Sequence, residues 1–395
     1  MNNLKFNIEK NRHFNGQLSE TFSVVEGDKA RHFHSSLAGY EPTPLRELDA
    51  LANEFGLGKI LVKDESYRFG LNAFKMLGGV YAIARLLCEE FKLDINAFDF
   101  DKLNTQIDKK LTFATATDGN HGRGVAWAAK QLGQHAVIYM PKGAAAERVK
   151  NIKALGAECI VTEMNYDDTV RFVVEKAKKD GWKVVQDTAW EDYIKIPTWI
   201  MQGYSTMAAE AISQVEQRQL AKPTHVILQA GVGAMAGGVL GYLSDKLGVD
   251  NLKAIIVEPQ EADCIYRSGG TEQGDIVNVG GALDTIMVGL ACGEPNPLGW
   301  DILRNCSSHF VSCEDGIAAL GMRVLGNPMG SDARVVSGES GAIGLGLLAA
   351  LYYNDDRQAL MEQLELDSNS VVLVLSTEGD TDPVNYRDVV WRGKY

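Results

Sequence analysis

Short apolar runs rich in β-branched residues recur along the chain from residue 59 onward, and segments with helical periodicity lie between them. The runs that predict strands are KILVKD (59–64), LTFATAT (111–117), AVIYMP (136–141), ECIVTE (158–163), KVVQDT (183–188), HVILQAG (225–231), LKAIIVEP (252–259) and VVLVLST (371–377). The helical pattern covers residues 73–91, 122–133, 144–156, 166–181 and 233–248. Apolar strands separated by helices need crossover connections. The pattern therefore predicts an α/β fold with mainly parallel, twisted sheets that helices cover.

The strand runs fall into two groups, which predict two domains with one sheet each. The runs between 111 and 188 form one group, and those from 225 onward form the other. We expect residues 1–75 and 222–395 to make a large domain and residues 76–221 to make a small one. A stretch over 262–335 is Gly-rich and is expected to be rich in loops. It also carries many apolar residues, so we expect it to wrap the functional site rather than to act as a linker.

Charge and cysteine content narrow the classes of partner and compartment. The net charge of −13 argues against nucleic acid or an anionic membrane as the main partner. The six cysteines form no CxxC pair, so we expect no metal site and no disulfide framework. The chain start lacks the apolar core of a secretory signal, and no apolar run approaches the roughly eighteen residues of a membrane span. We expect a reduced, cytoplasmic homodimer that acts on a small molecule and binds no membrane.

Chemistry is expected in the loops that lead from strands into helices, because active sites of parallel sheets lie at the carboxyl ends of the strands. The first such loop, KDESYRFGLNAFKMLGG (63–79), places Lys75 between Phe74 and Met76 at the start of a helix. Desolvation lowers the pKa of an ammonium group and makes the amine nucleophilic. The alternative is a lysine whose apolar stem is buried while its charge reaches solvent.

The second loop, TATDGNHGRGVAWAA (115–129), offers four polar residues in a short stretch: Thr117, Asp118, Asn120 and His121. Such residues also serve in ordinary turns and helix caps, although this cluster is denser than a cap requires. The third loop, QAGVGAMAGGVLGYL (229–243), is a glycine-rich turn before a helix, which is typical of an anion site. Its spacing, together with Glu258 at the end of the next strand, is also compatible with a dinucleotide site. An NAD-dependent oxidoreductase is therefore an alternative.

Taken together, these loops resemble those of the pyridoxal-phosphate (PLP) enzymes of fold type II, the group of threonine dehydratase and the tryptophan synthase β-subunit. The likeness extends from EPTPLREL (41–48) to STEGD (376–380). It implies that Lys75 is the Schiff-base lysine, that Phe74 packs against the cofactor ring, and that Asn120 lies near the 3′-oxygen. Ser376 would face the pyridine nitrogen. The phosphate would be bound by Gly231, Val232, Gly233, Ala234 and Met235. By the same likeness, the large domain binds PLP and the small domain closes over the site.

Within that group, the segments RFGLNAFKMLGG, VVQDTAW and GLACGEPNPLGW resemble the 2,3-diaminopropionate ammonia-lyases. This likeness implies elimination of ammonia from D- or L-2,3-diaminopropionate, giving pyruvate and two ammonia through α-aminoacrylate. A carboxylate near the β-ammonium would pair with its charge, and Asp118 and Asp187 are the candidates. The alternative for Asp187 is an ordinary acidic residue in a turn at the end of a strand. Thr117 and His121 are further candidates for substrate contact, and the alternative for His121 is a structural hydrogen bond. Lys75 would be the base for the L-enantiomer and Asp118 the base for the D-enantiomer. A serine or threonine dehydratase is the alternative within the PLP enzymes.

Overall fold

A computed structural model describes residues 4–98, 107, 109–117, 119–144 and 146–395, apart from the side chain of Asp167. Its strands are β1 Phe6–Lys10, β2 Leu45–Glu47, β3 Lys59–Asp64, β4 Thr112–Ala116, β5 His135–Met140, β6 Glu158–Val161, β7 Lys183–Val184, β8 His225–Gln229, β9 Lys253–Pro259, β10 His309–Cys313 and β11 Val371–Ser376. Its helices are α1 Val24–Ser35, α2 Asp49–Phe55, α3 Met76–Phe91, α4 Asn120–Gln131, α5 Ala146–Lys153, α6 Tyr166–Asp180, α7 Lys195–Gln217, α8 Ala234–Leu247, α9 Cys264–Gly270, α10 Pro297–Cys306, α11 Asp315–Gly326, α12 Glu339–Tyr352, α13 Arg357–Gln363 and α14 Pro383–Val390.

The chain divides into two compact units. Unit 1 contains residues 1–24, 41–74 and 207–395, and unit 2 contains residues 25–40 and 75–206. The division near residue 75 lies beside the expected boundary, whereas the second division falls inside α7 rather than at residue 221. The roles assigned to the large and small domains remain a prediction.

The sheet of unit 1 has the strand order β1-β10-β9-β8-β11-β3-β2. Its five inner strands are parallel, and β1 and β2 pair antiparallel at the two edges. Side chains such as Ile60, Ile227 and Val374 pack with α12 in one large apolar core, and this burial explains the apolar runs of the inner strands. The sequence pattern misses β1, β2 and β10 because these short strands carry polar residues among few apolar ones.

The sheet of unit 2 has the order β6-β5-β4-β7, and all of its strand pairs are parallel. Its smaller core contains Ala114, Val137, Tyr139 and Val173. The strand predicted over residues 183–188 is wrong in length, since the ladder with β4 includes only Lys183 and Val184. Residues 185–188 continue beyond the ladder at the edge of the sheet, and Asp187 lies among them.

Residues 262–335 contain more regular secondary structure than the expected loop-rich segment. Helices α9, α10 and α11 and strand β10 occupy much of this stretch, and the part without regular α or β structure is confined mainly to residues 271–296. That the stretch wraps the functional site remains a prediction. Within the described ranges, no helix is both long and apolar enough to cross a membrane.

Candidate active site

Unit 2 brings Lys75 and Asp187 together, although they are 112 positions apart in the chain. Lys75 immediately precedes α3, and its Nζ donates a hydrogen bond of 2.6 Å to Oδ2 of Asp187. The Lys75 side chain is 22% exposed, while that of Asp187 is only 9% exposed. Burial by itself would raise the pKa of Asp187, but the charges of His121 and Lys75 outweigh it and hold that pKa well below its usual range. The carboxylate is therefore ionised and holds a cation.

His121 approaches the same carboxylate from α4. Its Nε2 donates to the carbonyl oxygen of Val185 at 2.7 Å, because a carbonyl can only accept, and this bond fixes where one ring proton lies. Its Nδ1 is 3.7 Å from Oδ2 of Asp187, which is too long for a hydrogen bond. His121 is buried, so it belongs to the interior wall of the site rather than to the solvent surface.

Glycines hold the backbone at Lys75 against neighbouring helices. A Cβ atom on Gly124 of α4 would lie 2.9 Å from N and Cα of Met76 and 3.0 Å from C of Lys75. Similarly, a Cβ on Gly203 of α7 would lie 2.6 Å from the carbonyl oxygen of Leu77. Only glycine allows this approach, so the GNHGRG segment fixes the position of the lysine by close packing.

The other polar residues of the second loop are Thr117, Asp118 and Asn120. Oγ1 of Thr117 accepts hydrogen bonds from the N–H groups of Gly119 at 2.9 Å and Gly122 at 3.1 Å, so Thr117 caps the start of α4. Asn120 is the first residue of α4 and is half-buried. Asp118 lies outside the described residues, and its expected roles in substrate binding and proton transfer remain predictions.

A buried ion cluster in unit 1, which no sequence motif indicated, anchors the segment that leads into Lys75. Arg68 bonds to both Glu65 and Glu210, and Lys63 donates to Glu210 at 2.7 Å, with all four side chains fully buried. Burial by itself would raise the pKa of Glu210, but the two cations hold it below its usual range. The run of charged residues KDE at the end of an apolar strand was the available signal.

The glycine turn of unit 1 has the geometry of an anion site. Gly233 has φ +85°, a left-handed conformation that favours glycine, and α8 begins at the next residue. A Cβ on Gly231 would lie 3.2 Å from Cα of Leu290, so the backbone is closely packed on that side. The first N–H groups of a helix have no carbonyl partner within it, so they are available to an anion in front of the turn. Val232, Ala234 and Met235 complete this turn.

Phe74 and Ser376 lie in neighbouring segments of unit 1. The N–H of Phe74 donates to the carbonyl oxygen of Thr377 at 3.1 Å, directly after Ser376 at the end of β11. Both side chains are buried, and Oγ of Ser376 donates to Oγ of Ser337 at 2.8 Å. A buried hydroxyl at the carboxyl end of a central strand is suited to hold a polar ring atom.

The structure contradicts the role of Glu258 in a dinucleotide site. Its carboxylate accepts hydrogen bonds from the N–H groups of Ile265 at 2.9 Å and Tyr266 at 2.6 Å, and the residue is 1% exposed. Burial raises the pKa of Glu258 well above its ordinary value. Glu258 thus caps α9, and a ribose hydroxyl could not reach it without displacing these bonds.

The segment that carries Asp187 is bonded on both sides by residues that no sequence motif indicated. The amide oxygen of Gln186 accepts from Oγ1 of Thr115 at 2.8 Å and from the N–H of Ala116 at 3.1 Å. The hydroxyl of Tyr193 contacts the backbone of Val184 and Gln186. The only signal in the sequence was their proximity to Asp187 in VVQDTAWEDY.

Comparisons with known proteins find relatives that match nearly the whole chain. The family model described as pyridoxal-phosphate dependent enzyme matches residues 37–377. A diaminopropionate ammonia-lyase of Escherichia coli strain K12 is 66% identical over 392 residues, which cover 99% of this chain and 98% of that enzyme. Crystal structures of the E. coli enzyme with D-serine and with an aminoacrylate-PLP azomethine reaction intermediate are each 65% identical. Each covers 99% of this chain and 98% of its own, with TM-scores of 0.95 and 0.93.

Proposed function

We propose that this chain, which belongs to the family of pyridoxal-phosphate dependent enzymes, eliminates ammonia from 2,3-diaminopropionate. Pyruvate and a second ammonia follow when the α-aminoacrylate product hydrolyses. The observation that carries the proposal is the buried, ionised Asp187 at the amino group of Lys75, because a diaminopropionate ammonia-lyase must hold a charged β-amine.

The residues present fit the cofactor. Lys75 offers a partly accessible amine, the turn at Gly233 offers N–H groups to a phosphate, and Ser376 offers a buried hydroxyl to the ring nitrogen. When bound, PLP supplies an aldehyde that joins to an amine and a ring that takes up the electrons left at Cα after its proton is removed. A serine rather than a carboxylate at the ring nitrogen leaves that nitrogen weakly protonated, which suits β-elimination better than transamination.

Proton transfer and binding of the substrate amine are assigned to Lys75, Asp118 and Asp187. Lys75 Nζ takes the Cα proton of the L-enantiomer, and Asp118 takes that of the D-enantiomer. Asp187 stays ionised and binds a cation. To act as a base, Lys75 Nζ would have to be a neutral amine, and the carboxylate of Asp187 could then pair with the β-ammonium of the substrate. His121, directed at the same carboxylate, keeps it oriented.

Product assays test the proposal directly. Pyruvate and ammonia should form from both enantiomers of diaminopropionate, with a catalytic efficiency several orders of magnitude above that for serine or threonine. Borohydride reduction should fix the cofactor to the peptide that contains Lys75. Equal efficiencies with serine or threonine would identify a dehydratase instead. Sedimentation would test the expected homodimer, which remains a prediction.

A further inference from the structure

The segment that carries Asp187 lies at an open edge of a sheet. Among the residues that the structure describes, strand β7 is the last of the four strands and pairs on one side only, with β4. The N–H of Val185 still donates to Ala114 at 2.9 Å, on the side of β4. Because backbone groups alternate in direction along an extended chain, those of Val184 and Gln186 point to the open side. An edge of this kind normally leaves such groups to water.

Tyr193 takes the place of the absent neighbouring strand. Its hydroxyl accepts a hydrogen bond of 2.8 Å from the N–H of Gln186 and donates one of 3.0 Å to the carbonyl oxygen of Val184. A hydroxyl can do both at once, and here it joins the two open backbone groups on either side of Val185. Burial raises the pKa of Tyr193, against the opposing effect of its bond with Gln186, so the hydroxyl keeps the proton that it donates.

The position of Tyr193 is itself fixed by a tight turn. The rings of Trp190 and Tyr193 are stacked, with centroids 4.1 Å apart and planes 14° from parallel. The N–H of Tyr193 donates to the carbonyl oxygen of Trp190 at 2.9 Å, and Asp192 between them has φ +68°. After Asp187 the chain therefore turns back, and Tyr193, six residues later, lies beside the strand again.

We infer that Tyr193 is a positioning residue for the substrate ammonium. It acts through Asp187, whose place it fixes by holding the two open backbone groups of residues 184 and 186. The inference rests on the proposed function, in which Asp187 binds the β-amine. His121 holds Val185 from the other side of the segment, so the loss of Tyr193 leaves Asp187 present but less well oriented.

The test compares Tyr193→Phe with Tyr139→Phe in the holoenzyme. The first variant keeps the aromatic ring and removes only the hydroxyl. The second removes a hydroxyl from a buried tyrosine of the same sheet that does not hold residues 184–187. Hydrogen exchange at the Gln186 amide should become faster by about tenfold in Tyr193→Phe, because its acceptor is lost. Exchange at Val185, which remains bonded to Ala114, should change much less.

The kinetic readout is the ratio of kcat/KM for diaminopropionate to kcat/KM for serine. In Tyr193→Phe this ratio should fall by about three- to tenfold, since a misplaced carboxylate binds the β-ammonium less well. When Tyr193→Phe is added to Asp187→Asn, the ratio should stay at the value of Asp187→Asn alone. An unchanged ratio together with a lower melting temperature would show that Tyr193 is merely structural and would overturn the inference. A wild-type enzyme without preference for diaminopropionate would refute the proposed function instead, and the exchange rates would still report whether Tyr193 holds the segment.

Discussion

Replacing Asp187 by Asn tests which cation the buried carboxylate serves. The substitution keeps the size of the side chain and one oxygen acceptor, but it removes the negative charge. In the structure that charge lies 2.6 Å from Nζ of Lys75 and 3.7 Å from Nδ1 of His121, with the side chain 9% exposed. A charge so little exposed is weakly screened, so its removal should have a large effect.

The magnitude follows from the bond that is lost. A hydrogen bond to a charged group contributes about 1.5–3 kcal/mol, and each 1.36 kcal/mol corresponds to a factor of about ten in rate. For diaminopropionate, kcat/KM should therefore fall by about 10- to 150-fold through the β-ammonium alone. Serine has no β-amine and does not lose this contact. Any effect of Asp187 through Lys75 acts on both substrates, so it cancels in the ratio of their efficiencies.

The assay measures pyruvate formation from both substrates in the wild type and in Asp187→Asn. The matched control is Asp332→Asn, which neutralises a half-buried carboxylate that accepts the N–H groups of Ala50 and Leu51 in unit 1. The control should leave the ratio unchanged. If Asp187→Asn lowers both efficiencies by the same factor, the carboxylate serves Lys75 only, and its role in recognising the β-amine would be refuted.

Three further predictions concern packing, stereochemistry and pH. Gly124→Ala places a Cβ 2.9 Å from the backbone of Met76, so it should cost about 1–3 kcal/mol of stability and weaken PLP binding. Gly270→Ala, with no atom within 4 Å of the new Cβ, should change the melting temperature little. Asp118→Asn should abolish most activity on the D-enantiomer and keep a larger fraction of L-activity; equal losses would mean that Asp118 only binds the amine. Burial lowers the pKa of His309 to about 4 from its ordinary 6.5, so the folded protein keeps this ring neutral. The contribution of neutral His309 to the free energy of unfolding should be fully present above pH 6.5. It should fall by about 2 kcal/mol, after allowance for solvent screening, as the pH drops towards 4. Urea unfolding of His309→Gln should lack this part of the pH dependence.

The sequence alone predicts most of the inner strands, because buried strands appear in it as apolar runs. A strand covered by helices on both faces must be apolar at almost every position, as in VVLVLS of β11, and such runs are visible without a structure. The glycine turn before α8 is equally visible, because the left-handed conformation at Gly233 favours glycine. Edge strands β1 and β2 show no comparable apolar run, since they face solvent on one side.

The sequence also predicts which side chains carry the chemistry, but not which of them meet. Lys75 is predicted from residue type, position in a loop and family likeness, and Asp187 from family likeness alone. Their contact across 112 positions depends on how α3 packs on α4 and on where β7 leaves its sheet. No local pattern encodes a distance of that kind, because it is the sum of many packing contacts along two separate stretches of chain.

Only the tertiary structure decided what each polar group faces. Glu258 has the spacing of a ribose ligand, yet its oxygens point to the N–H groups at the start of α9. Tyr193 has no distinguishing pattern, yet its hydroxyl joins two backbone groups beside Asp187. The physical reason is common to both residues. A buried polar atom must find a partner, and its partner is set by the folded surroundings rather than by neighbours in the sequence.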